Sequence, residues 1–286
     1  MTNPVLGCDW GGYDYDALQV ESIASQAGCP LFISQLGGAG TPKLLKRARA
    51  AGMITGGYYW NSALNGAQFQ IDAFSRLIEA DKPDIIILDV EHWWADWSQY
   101  WDAIAGRLPW ADVKRLDPGK ISVNAQLVCE GINTRWKGKY YLNYSAQWFV
   151  NGYSPQCAGW MKNYPFHAAA YPDYGLSPYT LTWAQIGAGQ FMEKRAGLQS
   201  ITDYQPSMPT GMTEWDMWQY SSRIKVPGEY YAYDWNYFPG TLADLKRLIG
   251  MATEPTIPTP EPLPAPGDHE RIDSLVEWAR TKGYEG

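Results

Sequence analysis

The chain of 286 residues is 45% hydrophobic and carries a formal net charge of −7. That is ample for one large core, near the roughly 250 residues usual for an α/β barrel. No run of about 18 apolar residues is present to span a membrane, and an acidic balance without a basic tract argues against nucleic acid as a partner.

Residues 1–250 alternate strand-like and helix-like segments. Met1-Thr2-Asn3-Pro4-Val5 lacks the basic stretch and long apolar core of a signal peptide, so synthesis in a cytoplasm is expected, with another route out. Val5–Asp9 is a short apolar strand ending in Asp9-Trp10-Gly11-Gly12, and a helix is predicted over Asp14–Ala27. Leu31–Ser34 is the next strand. Pro42–Ala51 is a second helix with Lys43, Lys46, Arg47 and Arg49 on its outer face. Ile54–Trp60 is a strand, and Ala67–Ala80 a helix with Phe69, Ala73, Leu77 and Ile78 at helical spacing. The next strand, Asp84–Glu91, contains Ile85-Ile86-Ile87-Leu88. Such a run reads as buried on both faces, as in a parallel sheet. Four β units separated by three helices predict a parallel sheet or barrel.

Asp96–Leu108 and Ser122–Trp136 then read as helices, and Tyr140–Tyr144 and Phe166–Tyr171 as strands. Residues 172–212 are rich in Gly and Pro and are expected to form a long loop over one face. Glu214–Tyr220 and Tyr230–Phe238 alternate and are aromatic, so they read as two more strands, for which an antiparallel pairing is open. Leu242–Ile249 is a closing helix, and the barrel is assigned to residues 1–253. Composition breaks there. Glu254–Gly267 holds six prolines in fourteen residues, an extended linker reaching about 40 Å. Beyond it, within residues 268–286, His269–Lys282 makes a short amphipathic helix with Ile272, Leu275, Val276 and Ala279 on one stripe. It is expected to self-associate or bind a partner, because so long a linker is unnecessary for docking back on the barrel.

Side chains alternate along a strand, so Asp89 and Glu91 share one face of theirs. Two carboxyls at the end of a buried strand are costly unless they are paired or do chemistry. Glycoside hydrolysis needs such a pair, one to donate a proton and one to support a cationic transition state. Asp9 and Asp234 also end strands, where barrel active sites lie. Each alone reads as a helix cap; together they are far more specific. The 15 Trp and 20 Tyr outnumber the 7 Phe. Trp and Tyr pair a flat apolar face with a polar edge, as sugar stacking requires, so most are expected in the core and a minority along a groove. Cys8, Cys29, Cys129 and Cys157 have no C-x-x-C spacing and predict buried free thiols. His92, His167 and His269 have no ligand spacing, so neither a metal nor another cofactor is expected.

The motifs resemble those of the glycoside hydrolase family 25 lysozymes, muramidases common in phage endolysins and bacterial wall-turnover enzymes. Gly7-Cys8-Asp9-Trp10 is similar to the opening G-x-D motif, Gly56-Gly57-Tyr58-Tyr59-Trp60 to G-x-Y-x-F, and Leu88-Asp89-Val90-Glu91 to LDxE. Tyr140-Tyr141-Leu142-Asn143-Tyr144 resembles Y-x-x-Y, and Ala168-Ala169-Ala170-Tyr171 the strand ending in A-x-Y. Most distinctive is Trp218-Gln219-Tyr220-Ser221-Ser222 followed by Asp234-x-Asn236-x-Phe238. The resemblance covers almost all of residues 5–240. It implies an irregular (β/α)5β3 TIM-like barrel and hydrolysis of the β-1,4 bond between N-acetylmuramic acid and N-acetylglucosamine. Bacterial peptidoglycan strands would be the partner, met after release in phage lysis or from a virion. By the same resemblance Glu91 is the general acid, then base; Asp89 is the nucleophile or orients the substrate's acetamido group; Asp9 and Asp234 hold the cleaved sugar. Tyr58, Trp60, Tyr144, Tyr171 and Trp218 are its sugar-stacking walls. The chain departs from the pattern at Gly11, in place of Ser, at His167, in place of Trp, and in the long segment between Glu91 and Tyr140.

Two alternatives compete. A chitinase-type D-x-x-D-x-D-x-E signature fits Asp84, Asp89 and Glu91 but puts Ile87 where an acid belongs. A non-catalytic wall-binding or virion barrel would have little reason to keep buried carboxylates.

Overall fold

The apolar run Ile85–Leu88 is buried on both faces, and the rest of the sheet is built around it. A computed structural model describes residues 4–13 and 18–251. The Pro-rich linker, the C-terminal helix and residues 14–17 of the first predicted helix lie outside the described residues. The first half runs β1 (Val5–Trp10), α1 (Val20–Gln26), β2 (Leu31–Gln35), α2 (Thr41–Ala50), β3 (Ile54–Trp60), α3 (Ala67–Asp81) and β4 (Ile85–Asp89). Then come α4 (Trp97–Ile104), α5 (Pro118–Arg135), β5 (Tyr140–Ala146), α6 (Gln147–Tyr153), α7 (Cys157–Met161) and β6 (Phe166–Ala169). The chain continues through β7 (Tyr179–Thr180), α8 (Trp183–Gly187), β8 (Gln190–Glu193) and β9 (Gly197–Ser200). It closes with β10 (Met217–Lys225), β11 (Tyr233–Phe238) and α9 (Leu242–Leu248).

Strands β1 to β6 are parallel neighbours in chain order, and β10 joins β6 in parallel. Strand β11 is antiparallel to both β10 and β1 and closes an eight-stranded α/β barrel. This is the irregular barrel expected, with only the last strand reversed. Interior and exterior alternate along each strand, so every strand carries one set of side chains to the barrel axis and one to the helices. The four cysteines are buried and free. Among the described residues no helix is long and apolar enough to cross a membrane.

Residues 172–212 are not the plain loop expected. Strand β7 extends the sheet beside β10, and β8 and β9 form a hairpin. Helix α8 starts with a capping box in which Thr182 and Gln185 satisfy each other's backbone N–H groups. These elements are short and half-exposed, so their hydrophobic periodicity is weak. Helices α6 and α7 escape the sequence reading for the same reason. Helix α5 begins at Pro118, four residues ahead of expectation, because Asp117 accepts the Lys120 N–H and proline suits the first helical position. On α3 the buried apolar residues are Ile71, Phe74 and Ile78, whereas Phe69 is exposed; the apolar stripe keeps Ile78 but is rotated away from Phe69.

Strand β3 packs closely against β2 and the residue after it where β3 carries glycine. A Cβ on Gly57 would lie 2.6 Å from Leu36 Cδ2, and one on Gly56 2.7 Å from Ile33 Cγ1. Gly57→Val should therefore lower thermal stability through overpacking, by about 1–3 kcal/mol. Calorimetry showing an unchanged melting temperature would contradict this packing.

Candidate active site

Four acids meet at the C-terminal mouth of the barrel. Asp9, Asp89, Glu91 and Asp234 line one cavity of about 220 Å³ together with Tyr58, Tyr144, Tyr171, His167 and Gln219. Strand register explains the convergence. Asp89 pairs with Trp60 on one side and Tyr144 on the other. Asp9 lies directly opposite Asp234 in the antiparallel β1–β11 ladder. Like charges facing each other in that way destabilise a sheet, so this is not an arrangement that folding alone selects.

Asp9 is the best supported of the four. Its Oδ2 accepts from Gln219 Nε2 at 2.7 Å and from Asn236 Nδ2 at 2.8 Å. Both amides are fixed from behind. Gln219 Oε1 accepts the Tyr144 hydroxyl at 2.7 Å and also the Tyr171 hydroxyl. Asn236 Oδ1 faces His167 Nε2 at 2.8 Å. Since the Asn236 amide nitrogen donates to Asp9, its oxygen must accept, which places the imidazole proton on Nε2. Burial lowers the His167 pKa to about 3, so the ring is neutral. Gln219, Asn236 and His167 were missed as site residues in the sequence. The signal was there in the alternation: Asn236 is two residues from Asp234 on the same strand face.

All four acids have pKa values above the ordinary range. Burial pushes Asp9 up to about 6 against the pull of its two amide donors. Burial and then the Asp9 charge push Glu91 up to about 7. Asp89 is raised well above normal by burial, then by Glu91 and Asp9. Asp234 is raised by burial and by Asp9 and Glu91, with Arg223 opposing. With two donors, Asp9 is the member best able to ionise, and its charge keeps protons on its neighbours. A buried carboxyl still protonated near neutrality, beside others able to carry charge, is what acid-base catalysis requires.

The sequence profile of Glycosyl hydrolases family 25 matches residues 41–229, about two-thirds of the chain. The chain belongs to this family. It is a glycoside hydrolase of the lysozyme, or muramidase, type. Family 25 structures share its fold. The bacterial lysozyme from Streptomyces coelicolor superposes with a TM-score of 0.54 at 19% identity, over 88% of this chain and 98% of that one. A GH25 lysozyme from Aspergillus fumigatus gives 0.55 at 15% identity, over 86% and 98%. The spore cortex lytic enzyme SleM from Clostridium perfringens gives 0.56 at 16%, over 84% and 69%. A search of curated proteins finds no match. The family match leaves out β1 and β11, so the barrel register, not the profile, brings Asp9 and Asp234 to this family 25 site.

The aromatic assignments divide. Tyr58, Tyr144 and Tyr171 line the acid cavity. Trp60 is half-buried and lines an adjoining aromatic groove with Glu91. Trp218 is a correction. It is fully buried and its indole N–H donates to Ala170 O at 2.6 Å. Gln219 points into the barrel, so its neighbour Trp218 points out of it and borders a different cavity, of about 860 Å³, with Trp148 and Tyr171 rather than the one that holds the acids. Among the described residues no group of three or more His, Cys, Asp or Glu is arranged to hold a metal ion.

Two measurements follow from this network. Gln219→Leu leaves Asp9 with one donor and two tyrosine hydroxyls without their acceptor. It should cost about 1–3 kcal/mol per buried group left unpaired, and an unchanged urea midpoint would contradict that. Glu91 binds its proton more tightly folded, at about 7, than at its ordinary 4.5. Its contribution to stability is therefore complete below about pH 4.5 and is lost as pH rises through 7. Glu91→Gln should raise the melting temperature more at pH 8 than at pH 5. An equal gain at both would mean that Glu91 titrates normally.

Proposed function

We propose that this enzyme cleaves the β-1,4 bond between N-acetylmuramic acid and N-acetylglucosamine in bacterial peptidoglycan. The observation that carries the reading is the four-acid cavity, in which, among the described residues, Asp9 alone is given amide donors. Glu91 is the general acid: its proton passes to the glycosidic oxygen as the bond to the anomeric carbon breaks. The resulting carboxylate then takes a proton from the water that attacks that carbon. Asp9, the member best able to ionise, lines the same cavity, where its charge stabilises the oxocarbenium-like transition state.

Asp89 fits the second role best as an orienting group. Its Oδ1 is buried and has no hydrogen-bond donor among the described residues. A sugar acetamido N–H would supply that donor and bring the Asp89 pKa back down. The acetamido oxygen would then be held for attack on the anomeric carbon, with Asp89 accepting its N–H.

The finer assignment is a phage endolysin. A net charge of −7 gives no long-range attraction to an anionic wall. That suits an enzyme delivered at high concentration against its substrate rather than one searching from dilute solution. Co-expression with a membrane-pore protein should lyse the host where either alone does not; lysis by the enzyme alone would count against this role.

Glu91→Gln should reduce turnover of purified walls by about a hundred- to ten-thousand-fold without loss of folding, and near-normal lysis would remove the mechanism. The wild-type rate should fall as pH rises through about 7, where Glu91 loses its proton. Digests should carry reducing-end N-acetylmuramic acid by mass spectrometry. Reducing-end N-acetylglucosamine would instead mark a glucosaminidase.

A further inference from the structure

Glu91 borders two cavities. One holds the other three acids. The second, about 380 Å³, is walled by Trp60, Trp94, Tyr100, Trp110 and Trp148 among others, and among the described residues Glu91 is the one charged side chain in its lining. Most of these rings come from the segment between β4 and β5, which the structure holds firmly. Ala95 N donates to Lys114 O and Leu116 N to Trp93 O, each at 2.8 Å. The Arg115 guanidinium lies 4.7 Å from the Tyr153 ring centroid and 5.9 Å from that of Trp93. Asp96 caps α4 by accepting from Ser98 N and Gln99 N.

The rings continue out of the groove along α4. Trp97 lies 5.4 Å from Trp60, centroid to centroid. Trp101, one turn further on, lies 6.5 Å from Trp97 with ring planes 22° apart. Trp97 and Trp101 are 43% and 55% exposed, and Trp148 across the groove is 52% exposed. So large an aromatic surface, continuous with a catalytic cleft, is a ligand site rather than leftover core. Flat faces with N–H and O–H edges suit neutral pyranose rings.

We propose that residues 92–117, with Trp60 and Trp148, form a platform that grips a long glycan strand on the leaving-group side of the cleaved bond. The side follows from the acids. Asp9, Asp89 and Asp234 surround the sugar whose anomeric carbon reacts, while Glu91, beside the departing oxygen, alone is shared with the aromatic groove. The inference rests on the muramidase reading and adds to it a dependence of turnover on strand length.

The test uses peptide-free glycan strands fractionated by length, with the full chain and its Trp97→Ala/Trp101→Ala double variant. The ratio of kcat/KM on long strands to that on short ones should exceed one in the wild type. It should fall about tenfold in the variant, through KM rather than kcat, as expected for loss of two stacking faces. In a Glu91→Gln background, tryptophan fluorescence should show affinity rising with strand length, and the double variant should flatten that rise. Trp148→Ala, on a different helix, should lower the same ratio if the double variant folds poorly. An unchanged ratio alongside normal cleavage overturns the platform and leaves the muramidase reading standing. So does a variant whose main effect, by light scattering, is on self-association. A protein that neither cleaves nor binds such strands at any length overturns both.

Discussion

Four carboxyls in one desolvated barrel mouth are the constraint on which this structure depends. Burial raises the cost of every charge there, and each charge raises the cost of the next. The chain meets the constraint by giving donors to one member. Asp9 receives two amide N–H groups, and those amides are aimed by Tyr144, Tyr171 and His167. The donors ride on β10 and β11, the strands that close the barrel against β1. Closure of the sheet and assembly of the site are therefore one event. A barrel missing its last two strands would leave Asp9 without either donor.

That coupling accounts for the two most distinctive motifs. In Trp218-Gln219-Tyr220, the middle residue turns inward to Asp9 while its aromatic neighbours are buried outside the barrel. In Asp234-Trp235-Asn236, the two inward residues are an acid of the cluster and a donor to another. Register shifts in β10 beyond Gln219 bend the strand, and Ser221 there donates to the buried Asp173 instead of to the site. Each motif is a strand whose inner face serves the acids and whose outer face fills the core.

Much of this was legible in the sequence. The parallel strands announced themselves through continuous apolar runs, and the acids through their positions at strand ends. What escaped had weak local signal. Helices α6 and α7 and strands β7 to β9 are too short for periodicity to register. Gln219 and Asn236 carry no charge, so the motifs that contain them do not by themselves mark them as donors to Asp9. Trp218 lies outside the acid cavity; a motif fixes which residues occur together and not which way each one faces. Once Gln219 is known to point inward, strand alternation settles Trp218. Phe69 on α3 shows the helical version of the same error, a stripe rotated by part of a turn.

The acid cluster also suggests how substrate sorts the protons in the proposed mechanism. Without substrate, burial and neighbouring charge hold protons on both Asp89 and Glu91, the charge of Glu91 and Asp9 acting on the first and that of Asp9 on the second. An acetamido N–H arriving at the unpartnered Asp89 oxygen changes one side of that balance, because a donor stabilises the ionised form. Asp89 then loses its proton, and its new charge strengthens the hold of Glu91 on its own. Binding thus assigns the two roles, anion and acid, to carboxyls whose pKa values are both raised without it. Further exclusion of water from the closed cleft would sharpen the assignment, since it strengthens both the N–H contact and the repulsion. A polymer that lacks the acetamido group would bury the same surfaces yet leave the protons unsorted, so discrimination would arise in turnover more than in binding.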